Sequence, residues 1–422
     1  MSFKKTIVLL FYISNFAFAQ YNLNYFLSKA QSNSPLLKEY SNLYSINKLQ
    51  NKLDIAQNSA FQVSLSSNLL FSPYFNNNGV LFTPNPGPNA IGYDAATTNG
   101  GLYSAQINFG KNIFNSGILD ILNRQRLIQG KSYENKSYEE KHNLEKQVTD
   151  QFLNTLQYLL LYNLSKNIEN NLNKQLIITR NQVEKGFSKA SDYLQLKIEV
   201  KTQLIELQQE WQNYKSGISQ LYSICGIKDT ETVKLDTVIL TMNQTNIKSN
   251  FLNQFYYDSL SAVIQQSVFE TKYQPLFSVF FNAGLNAVEL NNIQRKFGVS
   301  AGINFSLPIL DGGQKNITRQ QTAISENSIS DYKNYLEKNI FTKRKDSENK
   351  IILLKKNIVD QKEQISDYIK LLNISEDQLE KGNLSMIEYL TLLRNFISLQ
   401  KNEITTEINY QLEISNYNYW NW

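Results

Sequence analysis

The chain matches itself. LIITRNQVEKGFSKASDYLQL (176–196) aligns without a gap on LNISEDQLEKGNLSMIEYLTL (372–392), an offset of 196, with nine of 21 positions identical. The identities include Glu184/Glu380, Lys185/Lys381, Gly186/Gly382, Tyr193/Tyr389 and Leu194/Leu390, and an acid follows each glycine by six residues, Asp192 and Glu388. The same offset lays FGKNIFNSG (109–117) on FSLPILDGG (305–313), so Gly117 and Gly313 each precede a repeat glycine by 69 residues. Two motifs with one shared spacing point to two copies of one supersecondary unit, joined near 227–250.

Each copy carries two stretches of period-two alternation before its closing glycine. QVSLSSNLLF (62–71) sets Val63, Leu65, Leu69 and Phe71 against Gln62, Ser64, Ser66 and Asn68, and LYSAQINFG (102–110) behaves alike. In the second copy Phe277, Val279, Phe281, Ala283 and Leu285 alternate mainly with polar or small residues, as do Phe297, Val299, Ala301, Ile303 and Phe305. Alternation of this length predicts strands, at about 61–72, 102–112, 275–286 and 297–308. Such strands fit a half-buried sheet of a soluble domain or a transmembrane barrel, whose strands run roughly 9–11 residues with apolar side chains outward and polar ones inward; the bare Ser/Asn/Gln/Gly face favours the barrel. The long segment 72–101, with FTPNPGPN, reads as an outward-facing loop.

The remainder reads as helix: 123–185, 187–214, 315–381 and 383–419 repeat apolar residues at three- and four-residue spacing. From Gln314 to Trp422 the only Gly or Pro is Gly382. A helix from Gly117 to Gly186 is on the order of 100 Å long, which demands a partner helix alongside, and the segment after the glycine supplies one. The tip turns fall at about 185–188 and 381–384.

The N-terminus, MSFKKTIVLLFYISNFAFAQ, has a basic start (Lys4, Lys5), an apolar stretch and an A-x-A site at Ala17–Ala19, which predicts a secretory signal peptide over 1–19. No helix beyond it is apolar enough to span a bilayer. Removing Lys4 and Lys5 lowers the net charge from +5 to +3, so no nucleic-acid partner is implied. Cys225 and His142 are the only residues of their kinds, read as a buried thiol and a solvated helix histidine. Without a cluster of such groups there is no catalytic, cofactor or metal signature. Gly312-Gly313-Gln314-Lys315 lacks phosphate-loop spacing.

Four strands cannot enclose a lumen, and bare strand edges are too costly in hydrocarbon, so identical chains must pool their strands in a closed ring. Three such features carry a family resemblance over essentially the whole mature chain. They are an early A-x-x-N-x-P motif (Ala30, Asn33, Pro35), the strand-exit motif LPILDGG (307–313), and the two E-K-G tips. The chain resembles the TolC-like outer-membrane efflux proteins.

The resemblance implies an α+β membrane protein with four transmembrane strands per chain. Three chains would form a 12-stranded barrel in outer-membrane lipid, continued by a helical periplasmic barrel. It also implies docking to a periplasmic adaptor and an inner-membrane pump of the RND or ABC type. The domain plan is a first repeat over 20–226, an equatorial segment over 227–250 and a second repeat over 251–422. Strand-to-helix turns would sit at Gly117, Pro308, Asp311, Gly312 and Gly313, although the first copy, NIFNSG, lacks the proline. Adaptor-docking tips map to Lys185, Gly186, Phe187, Lys381, Gly382 and Asn383. The acidic ring at the periplasmic gate maps to Glu388, and a closed-state hydrogen-bonding position maps to Asp192. The second acid of that ring falls on Thr391 and the basic partner of the closed state on Leu384, which implies a weaker cation block. The implied function is a passive exit duct for small-molecule efflux or protein secretion. A secreted coiled-coil scaffold is the alternative, and a diffusion porin is disfavoured because it needs no long helices.

Overall fold

The computed structural model describes residues 21–71, 91, 101–229, 231–245, 248–288, 290 and 292–422. The leader expected over 1–19 lies outside the described residues, as does most of the loop expected over 72–101. The chain runs α1 (Leu23–Asn33), α2 (Pro35–Ser59), β1 (Gln62–Phe71), β2 (Gly101–Ile113), α3 (Ser116–Glu184) and α4 (Ala190–Cys225). It continues through α5 (Asn253–Glu270), β3 (Leu276–Ala287), β4 (Phe297–Ser306), α6 (Gln314–Glu380) and α7 (Met386–Trp420). The order strand, strand, long helix, shorter helix thus occurs twice. No helix among the described residues is long and apolar enough to cross a membrane.

Two compact units divide the chain: one holds the residues up to Glu39, Ser137–Phe251 and Tyr335–Trp422, the other Tyr40–Lys136 and Leu252–Asn334. The first unit has an ordinary apolar core. Phe26, Val148, Phe152, Leu153, Tyr214, Leu221 and Cys225 are almost completely buried, contributed by α1, α3 and α4. The A-x-x-N-x-P motif serves this core. Ala30 is buried, Asn33 donates to the carbonyls of Cys225 (2.9 Å) and Gly226 (3.1 Å), and Pro35 opens α2, where a missing N–H costs nothing.

The extended segment 231–245 is strapped across this unit by side chains instead of a ladder. Tyr214 and Tyr222 donate to the carbonyls of Val233 and Glu231, while Leu240 and Asn243 donate to Gln411 and Asn418 of α7. His142 is not the solvated group the sequence suggests. It stacks on Tyr419 (4.9 Å between centroids) and on Trp422 (4.4 Å), and its Nε2 lies 2.9 Å from the Tyr419 carbonyl; burial lowers its pKa against the opposing pull of that contact. The Cys225 thiol is buried as expected, and desolvation pushes its pKa up to about 12.

The second unit contains one four-stranded antiparallel sheet, ordered β1-β2-β3-β4. β2 pairs with β3 from Tyr103↔Ala287 to Ile113↔Phe277, fusing two sequence-adjacent hairpins into one surface. Its polar face carries the cross-strand row Ser64, Asn108, Asn282, Ser300, and Asn108 donates to Ser66. The other face is apolar and open: Leu65, Leu69, Val299 and Ile303 are each about two-thirds exposed or more. Among the described residues of this unit Ala287 is the only hydrophobic side chain that is fully buried. Its buried contacts are polar instead, with Asp54 ion-paired to Arg126 at 2.7 Å and Asn47 donating to the Arg126 carbonyl.

β3 presses closely on β2 at Gly284, where φ is 153° and an added Cβ would lie 2.2 Å from the Ala105 carbonyl oxygen. No side chain fits that approach without displacing the partner strand. Gly284→Val should therefore abolish sheet assembly, read as loss of the β contribution to far-ultraviolet circular dichroism in detergent, with the helical signal retained.

Candidate functional site

The repeated E-K-G motifs close helices in the same way. Gly186 (φ 80°) donates to Val183 and Phe187 to Gln182; Gly382 (φ 73°) donates to Leu379 and Asn383 to Gln378. Each is a Schellman motif, in which the residue past the cap adopts the left-handed conformation that glycine reaches without Cβ strain. No atom lies within 4 Å of where a Cβ would stand at either glycine, so backbone conformation and not crowding selects the residue. Lys185, Gly186, Phe187, Lys381, Gly382 and Asn383 are all exposed, Phe187 by 80%.

After each turn the next helix starts three residues later than the sequence pattern suggests, because a capped turn intervenes. At the second tip, Ser385 and Glu388 form a reciprocal capping box. The Ser385 N–H and Oγ–H both donate to Glu388 Oε2 (3.0 and 2.8 Å), and the Glu388 N–H donates back to Ser385 Oγ at 3.2 Å. These bonds from Ser385 hold the Glu388 carboxyl below the usual carboxylate range. At the first tip Lys189 replaces the serine, so only half the arrangement survives: the Lys189 N–H donates to Asp192 Oδ2 at 3.3 Å. The two acids singled out by the repeat are thus the third residues of α4 and α7, each accepting from the backbone N–H of the residue that caps its helix. The S-x-x-E signal for Glu388 stands in the sequence beside it.

Behind the exposed turns the helix pairs lock together. Leu172, Leu196, Val200, Met386, Tyr389 and Leu390 form a buried cluster, and Leu384 packs against it as an apolar residue. Tyr389 Oη accepts from Gln175 at 3.0 Å. Thr391 is exposed and its hydroxyl donates to the Ile387 carbonyl. Three residues farther along, Arg394 donates to Glu199 from Nε (2.8 Å) and Nη2 (2.7 Å), with Glu199 1% exposed and also accepting from Gln203. Seven residues on, Lys401 binds Glu206 at 2.6 Å. Neither pair stands out in the sequence, since charges in long helices are ordinarily solvated.

The strand exits are built differently in the two copies. Asp311 accepts from the N–H groups of Gly313 and Lys315, both at 2.9 Å, capping α6, and these bonds with one from Tyr273 depress its pKa. Gly312 and Gly313 are left-handed, and Pro308 lies in the irregular stretch after β4, which ends at Ser306, two residues earlier than expected. Arg319 grips Glu270 with two bonds (2.8 and 3.0 Å) and holds its pKa down to about 2. In the first copy the left-handed residue is Phe114 (φ 60°), and Gly117 lies inside the first turn of α3. No group of three or more His, Cys, Asp or Glu side chains is placed to hold a metal ion among the described residues.

Substituting Ser385 by Ala should loosen the start of α7 by about 1 kcal/mol, read as faster amide exchange at Ile387–Leu390. Because the native pKa of Glu388 is lowered, its stabilisation is complete above the ordinary glutamate value and disappears as pH falls through the lowered one. Wild type and Glu388→Gln should therefore differ in tip exchange at neutral pH and converge in strong acid. Arg394→Leu leaves Glu199 buried without its cation and should destabilise the α4–α7 contact by about 3 kcal/mol, with partial rescue by Glu199→Gln, read from denaturant midpoints.

No family model and no curated protein matches this sequence. Solved structures do match. The chain is similar to CusC, whose crystal structures concern folding and transmembrane channel formation. The identity is 13%, the TM-score 0.73, and the match covers 95% of this chain and 92% of that one. It is similar to the outer-membrane protein VceC of Vibrio cholerae (12% identity, TM-score 0.71, 94% and 96% covered). It is also similar to the CmeC outer-membrane channel of Campylobacter jejuni (12%, TM-score 0.72, 94% and 85% covered). At these identities what is shared is the fold, from end to end.

Proposed function

We propose that this chain is one of three identical subunits of an outer-membrane exit duct, a passive conduit with no chemistry of its own. The observation that carries the reading is the sheet. One face is apolar and exposed, the other is lined mainly by Ser, Asn, Gln and Gly, and among the described residues both outer strands, β1 and β4, have an unpaired edge. In hydrocarbon such edges must be paired, and joining β4 of one copy to β1 of the next pairs all of them. Three copies then give a barrel of twelve strands with a polar lumen, and the expected leader would carry the chain across the inner membrane.

The unit that holds the sheet supports the same conclusion from its packing. With Ala287 as its only fully buried hydrophobic residue among those described, it has little with which to fold alone in water. Its helices show open apolar positions in heptad-like spacing, Ile46, Leu49 and Leu53 on α2 and Ile317 and Ile324 on α6, which further copies would cover. The fold likeness to outer-membrane channels along 94–95% of the chain agrees.

At the other end of the helices the two Schellman turns are the docking points for a periplasmic adaptor, with Lys185, Gly186, Phe187, Lys381, Gly382 and Asn383 in contact. An inner-membrane pump, proton-driven or ATP-driven, supplies the energy. Three copies of Glu388 would ring the axis and attract cations, with Asp192 supporting the closed arrangement and Thr391 and Leu384 leaving the ring single.

Purified protein should run as a heat-resistant trimer in detergent and form channels in planar bilayers; a soluble helical rod would instead establish a secreted scaffold. Divalent block of the channel should be lost in Glu388→Ala, and unchanged block removes Glu388 from the gate. Gly382→Pro should leave channel insertion intact and abolish export in cells.

A further inference from the structure

The four strands contain a single charged residue, Lys111. It stands on the apolar face, opposite Val279 and two residues beyond Phe109, at the end of β2 that leads into α3. Its Nζ lies 4.8 Å from the centre of the Phe61 ring, which is itself 66% exposed. Three residues on, Phe114 turns outward at 81% exposure from a left-handed backbone that an L-residue adopts at a cost. Within the chain its ring meets Phe277, edge to face at 5.8 Å. At the same repeat position in the second copy, Leu310 is 93% exposed.

A lysine on a largely apolar sheet face has no stable place in hydrocarbon. Its stem can lie along apolar surface only if its amine reaches a polar layer. Phe61 and Phe114 flank it as interfacial aromatics flank the edge of a bilayer. Strand pairing with further copies does not cover this spot, because copies join through β1 and β4 and Lys111 is on the interior strand β2. What remains to meet the amine is the headgroup layer, and a fixed cation there complements an anionic phosphate.

We propose that Lys111, Phe61 and Phe114 form an interfacial anchor that binds the phosphate of an anionic phospholipid in the leaflet nearest the long helices, setting the depth of the sheet. This rests on the barrel reading above. The full-length protein would be reconstituted in vesicles of mixed phosphatidylglycerol and phosphatidylcholine, re-extracted, and its retained lipid measured. Wild type should retain phosphatidylglycerol preferentially, Lys111→Gln should lose about fivefold of that preference, and Lys111→Arg should restore it, one basic residue near an anionic leaflet supplying a factor of that size. In parallel, the added fluorescence of Phe114→Trp should be quenched more by lipid brominated near the headgroup than by lipid brominated deep in the chain.

Embedded protein whose lipid preference is unchanged in Lys111→Gln overturns the anchor and leaves the duct intact. Deep-chain quenching of Phe114→Trp overturns the anchor as well. Protein that never enters the vesicles overturns the duct reading and the anchor together.

Discussion

The pairing of β2 with β3 decides most of what this chain can be. It joins residues as far apart in sequence as Tyr103 and Ala287, and it does so in a register that keeps Phe109 beside Phe281 and Asn108 beside Asn282. A slip by one residue would put half of each row on the wrong face. Because the pairing is antiparallel and internal, the free edges among the described residues are those of β1 and β4. A head-to-tail ring is the closure that such a pair of unlike edges allows.

Much of this was legible from the residues. The strands lie within a residue or two of the alternating stretches, since an exposed apolar face against a polar one writes period two with few breaks, Ser67, Leu70 and Phe280 among them. The tip glycines were legible for a different reason: two left-handed positions, 196 residues apart, each demand the same residue type and so stand out in the self-match. What the match could not separate was the purpose of the acids beside them. Asp192 and Glu388 recur because a helix start profits from an acid at its third position, whatever else that acid does.

Other features left no sequence signal. The strap over 231–245 has no periodicity because its backbone is held by side chains and not by a ladder: Tyr214 and Tyr222 from α4, and Gln411, Asn418 and Asn421 from more than 170 residues away. His142 looked like one more polar helix residue, since its partners Tyr419 and Trp422 come from the far end of the chain. Glu199 is buried by the packing of α4 on α7, which no local window contains. Phe114 occupies the left-handed position that a glycine or asparagine would be expected to take, so its conformation could be known only from the backbone.

The two units differ in where their stability comes from, and the difference bears on function. The one with the tips and the strap holds a conventional core, with Phe26, Phe152, Tyr214 and Leu221 sealed from water, and its charges are paired across helices. Such a unit keeps its helices packed behind the solvent-facing turns at Gly186 and Gly382. The one with the sheet seals almost none of its apolar side chains fully from water among the described residues. Leu65, Val299, Ile303 and Phe305 become favourable only where something apolar replaces water around them, and the β1 and β4 edges only where another chain supplies donors and acceptors. On the proposed duct reading, folding of that unit is tied to assembly and to its surroundings, and the chain gains its complete structure in the membrane.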